Sequence, residues 1–196
     1  MPKIVFIIGF RRSGTSFLRQ LVKMSPDVED ILFEPHELLF SAQTIHIPRY
    51  QKSEYHIKSI EKFKGHKKIF GAKIALNPGI EAMNWLWLEE KFDKPHYIFI
   101  MRKPEDTYDS WIKHETSVRG IIPFDMYDAW WFHINVSFLT FAQKNPERSV
   151  ILTYEDLCRD ANKTMDRVWK VLGLHSFDKD LNKLVKKGAN YEKNSG

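Results

Sequence analysis

The chain has 196 residues, a length that at about 100–200 residues per domain makes one domain with a full core, and its 43% hydrophobic and 14% aromatic content is that of a globular protein. The formal charge of +5 comes without a dense basic run, so it suits an anionic small ligand as well as it suits nucleic acid. One cysteine, Cys158, excludes an internal disulfide and a cysteine-rich zinc site, and no apolar stretch is long enough for a signal-peptide core or a membrane span, so a soluble, cytoplasmic protein is the expectation.

In chain order, Lys3 to Ile8 opens with an unbroken β-branched and aromatic run, Ile4 to Ile8. It is long enough for a strand buried on both faces and too short for a helix. Gly9 is expected to break that strand. Gly14, Thr15 and Ser16 follow, and then Phe17, Leu18, Leu21 and Val22 recur at helical spacing. A turn at Ser25-Pro26-Asp27 leads to a short strand, Ile31-Leu32-Phe33, ending in Glu34-Pro35-His36-Glu37. Residues 40 to 66 are weakly periodic, a loop with a short helix over Glu54 to Phe63. Lys68 to Ile74 is a third strand, and Asn77-Pro78 is a cap and first-turn proline for an aromatic helix with Trp85, Leu86, Leu88 and Phe92.

His96 to Met101 is the next buried strand, closed by Arg102, and Pro104 opens a helix through Tyr108, Trp111 and Ile112. After a break at Gly120 to Pro123, Asp125 to Lys144 reads as a long helix thick with Trp130, Trp131, Phe138 and Phe141. Ser149 to Thr153 is the last strand. Residues 161 to 172 form an amphipathic helix through Met165, Val168, Trp169 and Leu172, stopped by Gly173, and a basic tail follows. Strands alternating with helices imply an α/β domain whose parallel sheet is covered on both faces.

Two stretches carry chemistry. The first is the strand, glycine-bounded loop and helix of residues 3 to 18, a cradle of backbone N–H groups at a helix N-terminus suited to an anion. Gly9-x-x-x-x-Gly14 has the glycine spacing of an ATP-binding loop, but Thr15 stands where the phosphate-following lysine belongs, and the cations are Arg11 and Arg12 inside the loop. The second is Arg102 with Ser110, eight residues or about two helical turns apart, a guanidinium and a hydroxyl able to hold a second phosphate.

Together these stretches resemble the sulfotransferases that use 3′-phosphoadenosine-5′-phosphosulfate (PAPS). Gly9 to Phe17, GFRRSGTSF, resembles their 5′-phosphosulfate loop, with Arg12 where members carry Lys or Arg. RKPEDTYDS, Arg102 to Ser110, resembles their 3′-phosphate site, and ILTYEDL, Ile151 to Leu157, followed by a helix ending Val171-Leu-Gly-Leu174, resembles their C-terminal segment.

The resemblance implies a P-loop-like sulfotransferase fold, PAPS as co-substrate without a metal, and a small-molecule or glycan acceptor rather than nucleic acid or membrane. It also implies that Arg11, Arg12, Ser13, Gly14, Thr15, Ser16, Phe17, Arg102, Ser110, Tyr154 and Lys187 bind the nucleotide. Arg12, backed by Lys73, would stabilise the charge growing on the leaving oxygen. The histidine that some members place two residues after this lysine is Ala75 here, so the base passes to the glutamate-using branch: Glu34 first, His36 second. Two rivals stand beside this reading. A P-loop kinase would require magnesium and a lysine after Gly14, and a nucleotide- or RNA-binding module would bind without transfer.

Overall fold

A computed structural model describes residues 3–33, 68–77, 85–115, 122–175 and 180–185. Five parallel strands form one sheet in the order β2-β3-β1-β4-β5. These are β1 (Lys3–Phe10), β2 (Val28–Phe33), β3 (Ile69–Leu76), β4 (His96–Met101) and β5 (Ser149–Thr153). The α/β architecture is therefore the one expected from alternating apolar runs and amphipathic stretches. Between strands lie α1 (Thr15–Lys23), α2 (Trp87–Lys91), α3 (Pro104–Glu115) and α4 (Phe124–Lys144), and after β5 come α5 (Tyr154–Arg159) and α6 (Ala161–Leu172).

The central strands β1 and β4 are near-continuous apolar runs because both faces are covered. Val5, Ile7, Ile69, Ile98 and Ile100 pack with Leu18, Leu21 and Val22 of α1 and with Met165, Val168, Trp169 and Leu172 of α6. Phe6, Ile8, Phe10, Tyr97 and Phe99 face the other way, onto Trp85, Leu88, Trp111, Tyr127, Ile134 and Phe138. That second layer is aromatic. Tyr97 stacks on Phe99 at 5.5 Å, and Phe99 stacks on Phe138 at 4.6 Å. Ring pairs of this kind contribute about 0.5–1.5 kcal/mol each beyond their buried area.

Helix ends follow the chemistry of their residues. Thr153 caps α5 by accepting from the Asp156 N–H at 3.1 Å, and Asp160 caps α6 by accepting from Lys163 at 3.1 Å. Gly173 ends α6 as expected, and the Lys3 ammonium donates to the Leu172 carbonyl at 2.9 Å, a cation at a helix C-terminus.

Four points differ from the sequence reading. Gly9 does not break β1: it lies in register between Ala75 and Ile100, and the strand continues to Phe10. A Cβ at Gly9 would sit 2.4 Å from Ser13 Oγ and 2.7 Å from the Ile100 carbonyl, so the glycine makes room for the loop folding back over the strand end. β2 starts at Val28, three residues before Ile31, because an edge strand tolerates Glu29 and Asp30 and absorbs a register shift there. YEDL begins a helix of its own, α5, and β3 runs to Leu76 rather than Ile74. The helix expected over Glu54 to Phe63 and the Pro78 start lie outside the described residues, as does the tail from 186.

The order of strands sets the place for a ligand. From β1 the chain leaves through α1 toward β2 on one side of the sheet, and from β4 it leaves through α3 and α4 toward β5 on the other. β1 and β4 are hydrogen-bonded neighbours, so their carboxyl ends open at a topological switch point, where open α/β sheets bind their ligands.

Candidate active site

Residues 11 to 14 turn from β1 into α1. Arg12 adopts φ 72° and Gly14 φ 97°, two left-handed positions in one short loop. Ser13 lies between them, its N–H donating to the Phe10 carbonyl at 3.0 Å. Its hydroxyl is fully buried with no protein partner. Thr15 and Ser16 open α1, Thr15 buried and Ser16 exposed, and no side chain caps that helix. Its first N–H groups are thus left for an incoming acceptor.

Arg102 follows the last residue of β4. Met101 pairs with Thr153, so one step further brings Arg102 beside Tyr154, and its guanidinium carbon lies 4.6 Å from the centre of the Tyr154 ring. Arg102 Nη1 donates to the Arg12 carbonyl at 3.4 Å, while its Nε is buried with no protein acceptor. Gly14 meets the same tyrosine: a Cβ there would lie 2.5 Å from Tyr154 Cδ2.

The two stretches separated in sequence are one site. Arg12 Nε donates to Ser110 Oγ at 3.0 Å, 98 residues away. Ser110, on α3, was expected at the second phosphate, and it accepts from Arg12, the arginine expected at the first. Buried donors without acceptors, such as Arg102 Nε, cost about 1–3 kcal/mol each unless a ligand supplies the acceptor. An oxyanion with several oxygens fits that donor set: loop N–H groups, the Ser13, Thr15 and Ser110 hydroxyls, and two guanidinium groups.

Lys73 is almost wholly buried, 2% exposed, in β3 between Ile7 and Phe33. It is not a lone charge, which burial would make very costly. Arg11 turns away from the arginine pair: its N–H donates to the Leu76 carbonyl and its Nη1 to Asn77 Oδ1, both at 2.8 Å. Phe17 is partly buried against the core on the α1 side. Glu34, His36 and Lys187 lie outside the described residues; Phe33, just before Glu34, is in register with Lys73.

Sequence reasoning named Trp131 only as an aromatic of the long helix and passed over Glu155 and Tyr127. Tyr127 is fully buried among Phe10, Tyr108 and Trp111. Its hydroxyl lies near Thr107 without a hydrogen bond of normal geometry. Burial pushes this phenol up to about 12 against the opposing pull of Thr107 and the positive charges of Arg102 and Arg12, so it stays protonated at neutral pH. Trp131 Nε1 donates to the Arg102 carbonyl at 2.9 Å, and the Lys103 N–H donates to Glu155 Oε1 at 3.0 Å.

The fold is similar to a sulfotransferase domain from the curacin biosynthetic pathway, with TM-score 0.64 at 19% identity over 92% of this chain and 77% of that one. A mouse sulfotransferase complexed with PAP gives TM-score 0.63 at 17% identity over 99% and 67%. A sulfotransferase from Alicyclobacillus acidocaldarius gives 0.61 at 14% over 92% and 83%. Among curated proteins none matches by sequence. The sequence does match the family model of the sulfotransferase domain over residues 2–193, nearly its whole length, and the chain belongs to that family.

Proposed function

We propose that this sulfotransferase takes PAPS as donor and transfers its sulfuryl group to a hydroxyl, or secondarily an amine, of a small-molecule or glycan acceptor. The observation that carries the reading is the convergence of Arg12, Ser110, Arg102 and Tyr154 at the carboxyl ends of β1 and β4, beside an uncapped helix N-terminus. Such a site offers two clusters of cationic and hydroxyl donors, as a nucleotide carrying anions at both its 3′ and 5′ positions requires. The mouse sulfotransferase of the same fold is complexed with PAP, which agrees with that choice.

In this account the N–H groups at the start of α1, with Thr15 and Ser16, hold the 5′ phosphosulfate. Arg102 and Ser110 receive the 3′-phosphate, and Tyr154 lies edge or face to the adenine. The acceptor oxygen attacks sulfur in line, its proton passing to Glu34 or, failing that, His36. The bond between sulfur and the bridging oxygen breaks, and the electron pair stays on the departing adenosine bisphosphate. Arg12 and Lys73 place positive charge where that negative charge grows. Thr15 in place of a Walker lysine fits a donor without a γ-phosphate.

The test is incubation with PAPS and a panel of phenols, sugars and amines, with the bisphosphate product and the sulfated acceptor read by mass spectrometry. Stoichiometric appearance of both supports the reading. Magnesium-dependent consumption of ATP in place of PAPS would overturn it in favour of a kinase.

A further inference from the structure

The peptide unit joining Arg102 to Lys103 is gripped from both sides. Its oxygen accepts from the indole Nε1 of Trp131 on α4, and its N–H donates to the Glu155 carboxylate on α5. A third restraint is covalent: Pro104 follows, and a residue before proline is held away from the helical region. The unit lies between the end of β4 and the start of α3, where no strand or helix ladder would otherwise fix it.

Arg102 is the residue that needs fixing. Its guanidinium contacts the Arg12 carbonyl only at 3.4 Å, a long hydrogen bond, and its buried Nε makes none. Side-chain contacts therefore do little to aim it, apart from the face of Tyr154, and Tyr154 precedes Glu155 in the first turn of α5. The Cβ direction of Arg102 follows from its N, Cα and carbonyl carbon, so a grip on the 102–103 peptide, added to the hold of β4 on the preceding residue, fixes the direction in which the side chain leaves for that ring.

Resting on the PAPS reading above, we propose that Trp131 and Glu155 are positioning residues for the 3′-phosphate. They clamp one peptide unit so that Arg102 is aimed at a phosphoryl group on the ribose 3′ position, and the clamp sets the preference for 3′-phosphorylated over plain adenosine nucleotides. Neither residue touches the nucleotide.

The experiment is calorimetric titration of the full chain with adenosine 3′,5′-bisphosphate and with AMP. It compares wild type, Trp131→Phe, Glu155→Ala and Glu155→Gln, with melting temperatures taken in parallel. The ratio of the two affinities should fall about five- to tenfold in Trp131→Phe and in Glu155→Ala, the size of one such hydrogen bond. AMP affinity should stay near wild type. Glu155→Gln, which keeps an acceptor oxygen, should restore most of the ratio. On an Arg102→Ala background neither change should alter the ratio further. A wild-type preference retained in folded Trp131→Phe and Glu155→Ala would overturn the clamp alone, as would equal losses for both nucleotides. Equal affinity of the wild type for the two nucleotides would overturn the bisphosphate reading and the clamp with it. Should Trp131→Phe not fold, the part-exposed Glu155 decides the matter by its Ala and Gln pair.

Discussion

At Arg12 the backbone and the side chain favour different residues. A φ of 72° suits glycine and costs an L-residue about 1–2 kcal/mol, yet the guanidinium is the group that reaches Ser110. Arg12→Gly should therefore be more stable than Arg12→Ala by about 1 kcal/mol in denaturant melts. Both should lose turnover by about a hundred- to thousandfold, the effect of removing one preorganised donor. Near wild-type turnover in either variant would remove Arg12 from the chemistry. Gly14 is the converse case, a left-handed position pressed against a ring. Gly14→Ala should destabilise by about 1–3 kcal/mol and weaken nucleotide binding, and the penalty should shrink in a Tyr154→Ala background, where only the backbone part remains. An undiminished penalty there would show that the ring contact is irrelevant. Arg12, Gly14, Arg102 and Ser110 could be named from sequence because short local spacings carry them, and Tyr154 because the family resemblance implies it. Trp131 and Glu155 could not, since their partners stand 29 and 52 residues away and nothing local marks an indole N–H or a carboxylate as a peptide clamp.

Among the elements, the buried strands were legible because a strand covered on both faces is a continuous apolar run, and α6 because Met165, Val168, Trp169 and Leu172 keep helical spacing. The six-residue α5 was not, being too short to show a period, and the polar start of β2 was hidden because an edge strand need not be apolar. The end of the sheet opposite the site is held by a different device. Arg148, before β5, makes a two-pronged pair with Glu89 of α2 at 2.7 and 2.6 Å, and its carbonyl accepts from the Tyr97 N–H. Burial alone would raise the Glu89 carboxyl, but the hydrogen bond and charge of Arg148 outweigh it and hold the group below its usual value. Next to this pair, burial and then the charges of Lys3 and Arg148 lower His96 below 6.5. Both shifts make the unfolded chain bind more protons, so stability rises with pH and is lost as pH falls. The His96 contribution is lost as pH drops below 6.5 toward its lowered folded value, and that of Glu89 as pH drops below 4.5. His96→Gln should flatten melting temperature against pH in the upper window only. Glu89→Gln should flatten the lower one and cost about 1.5–3 kcal/mol at neutral pH. A wild-type melting temperature unchanged between pH 7 and about pH 5 would contradict the first, and one unchanged from there down to about pH 2.5 the second.

For the molecule as a whole, the switch point between β1 and β4 brings together two motifs that the sequence presents some 90 residues apart. Their order along the chain was readable, and so was the sheet that joins them. Their contact was not: Arg12 and Ser110 were assigned to separate phosphates, and only the fold, which sets β1 beside β4, reveals the hydrogen bond that joins them. The account therefore rests on a nucleotide with an anion at each end of one connected site. Calorimetric titration with adenosine 3′,5′-bisphosphate and with AMP, in the presence of a metal chelator, tests this most directly. The bisphosphate should bind about ten- to a hundredfold more tightly, and Arg102→Ala should erase most of that difference, as expected for one charge-assisted hydrogen-bonded phosphate. Equal affinity for the two nucleotides, or binding of ATP alone and only with magnesium, would contradict it.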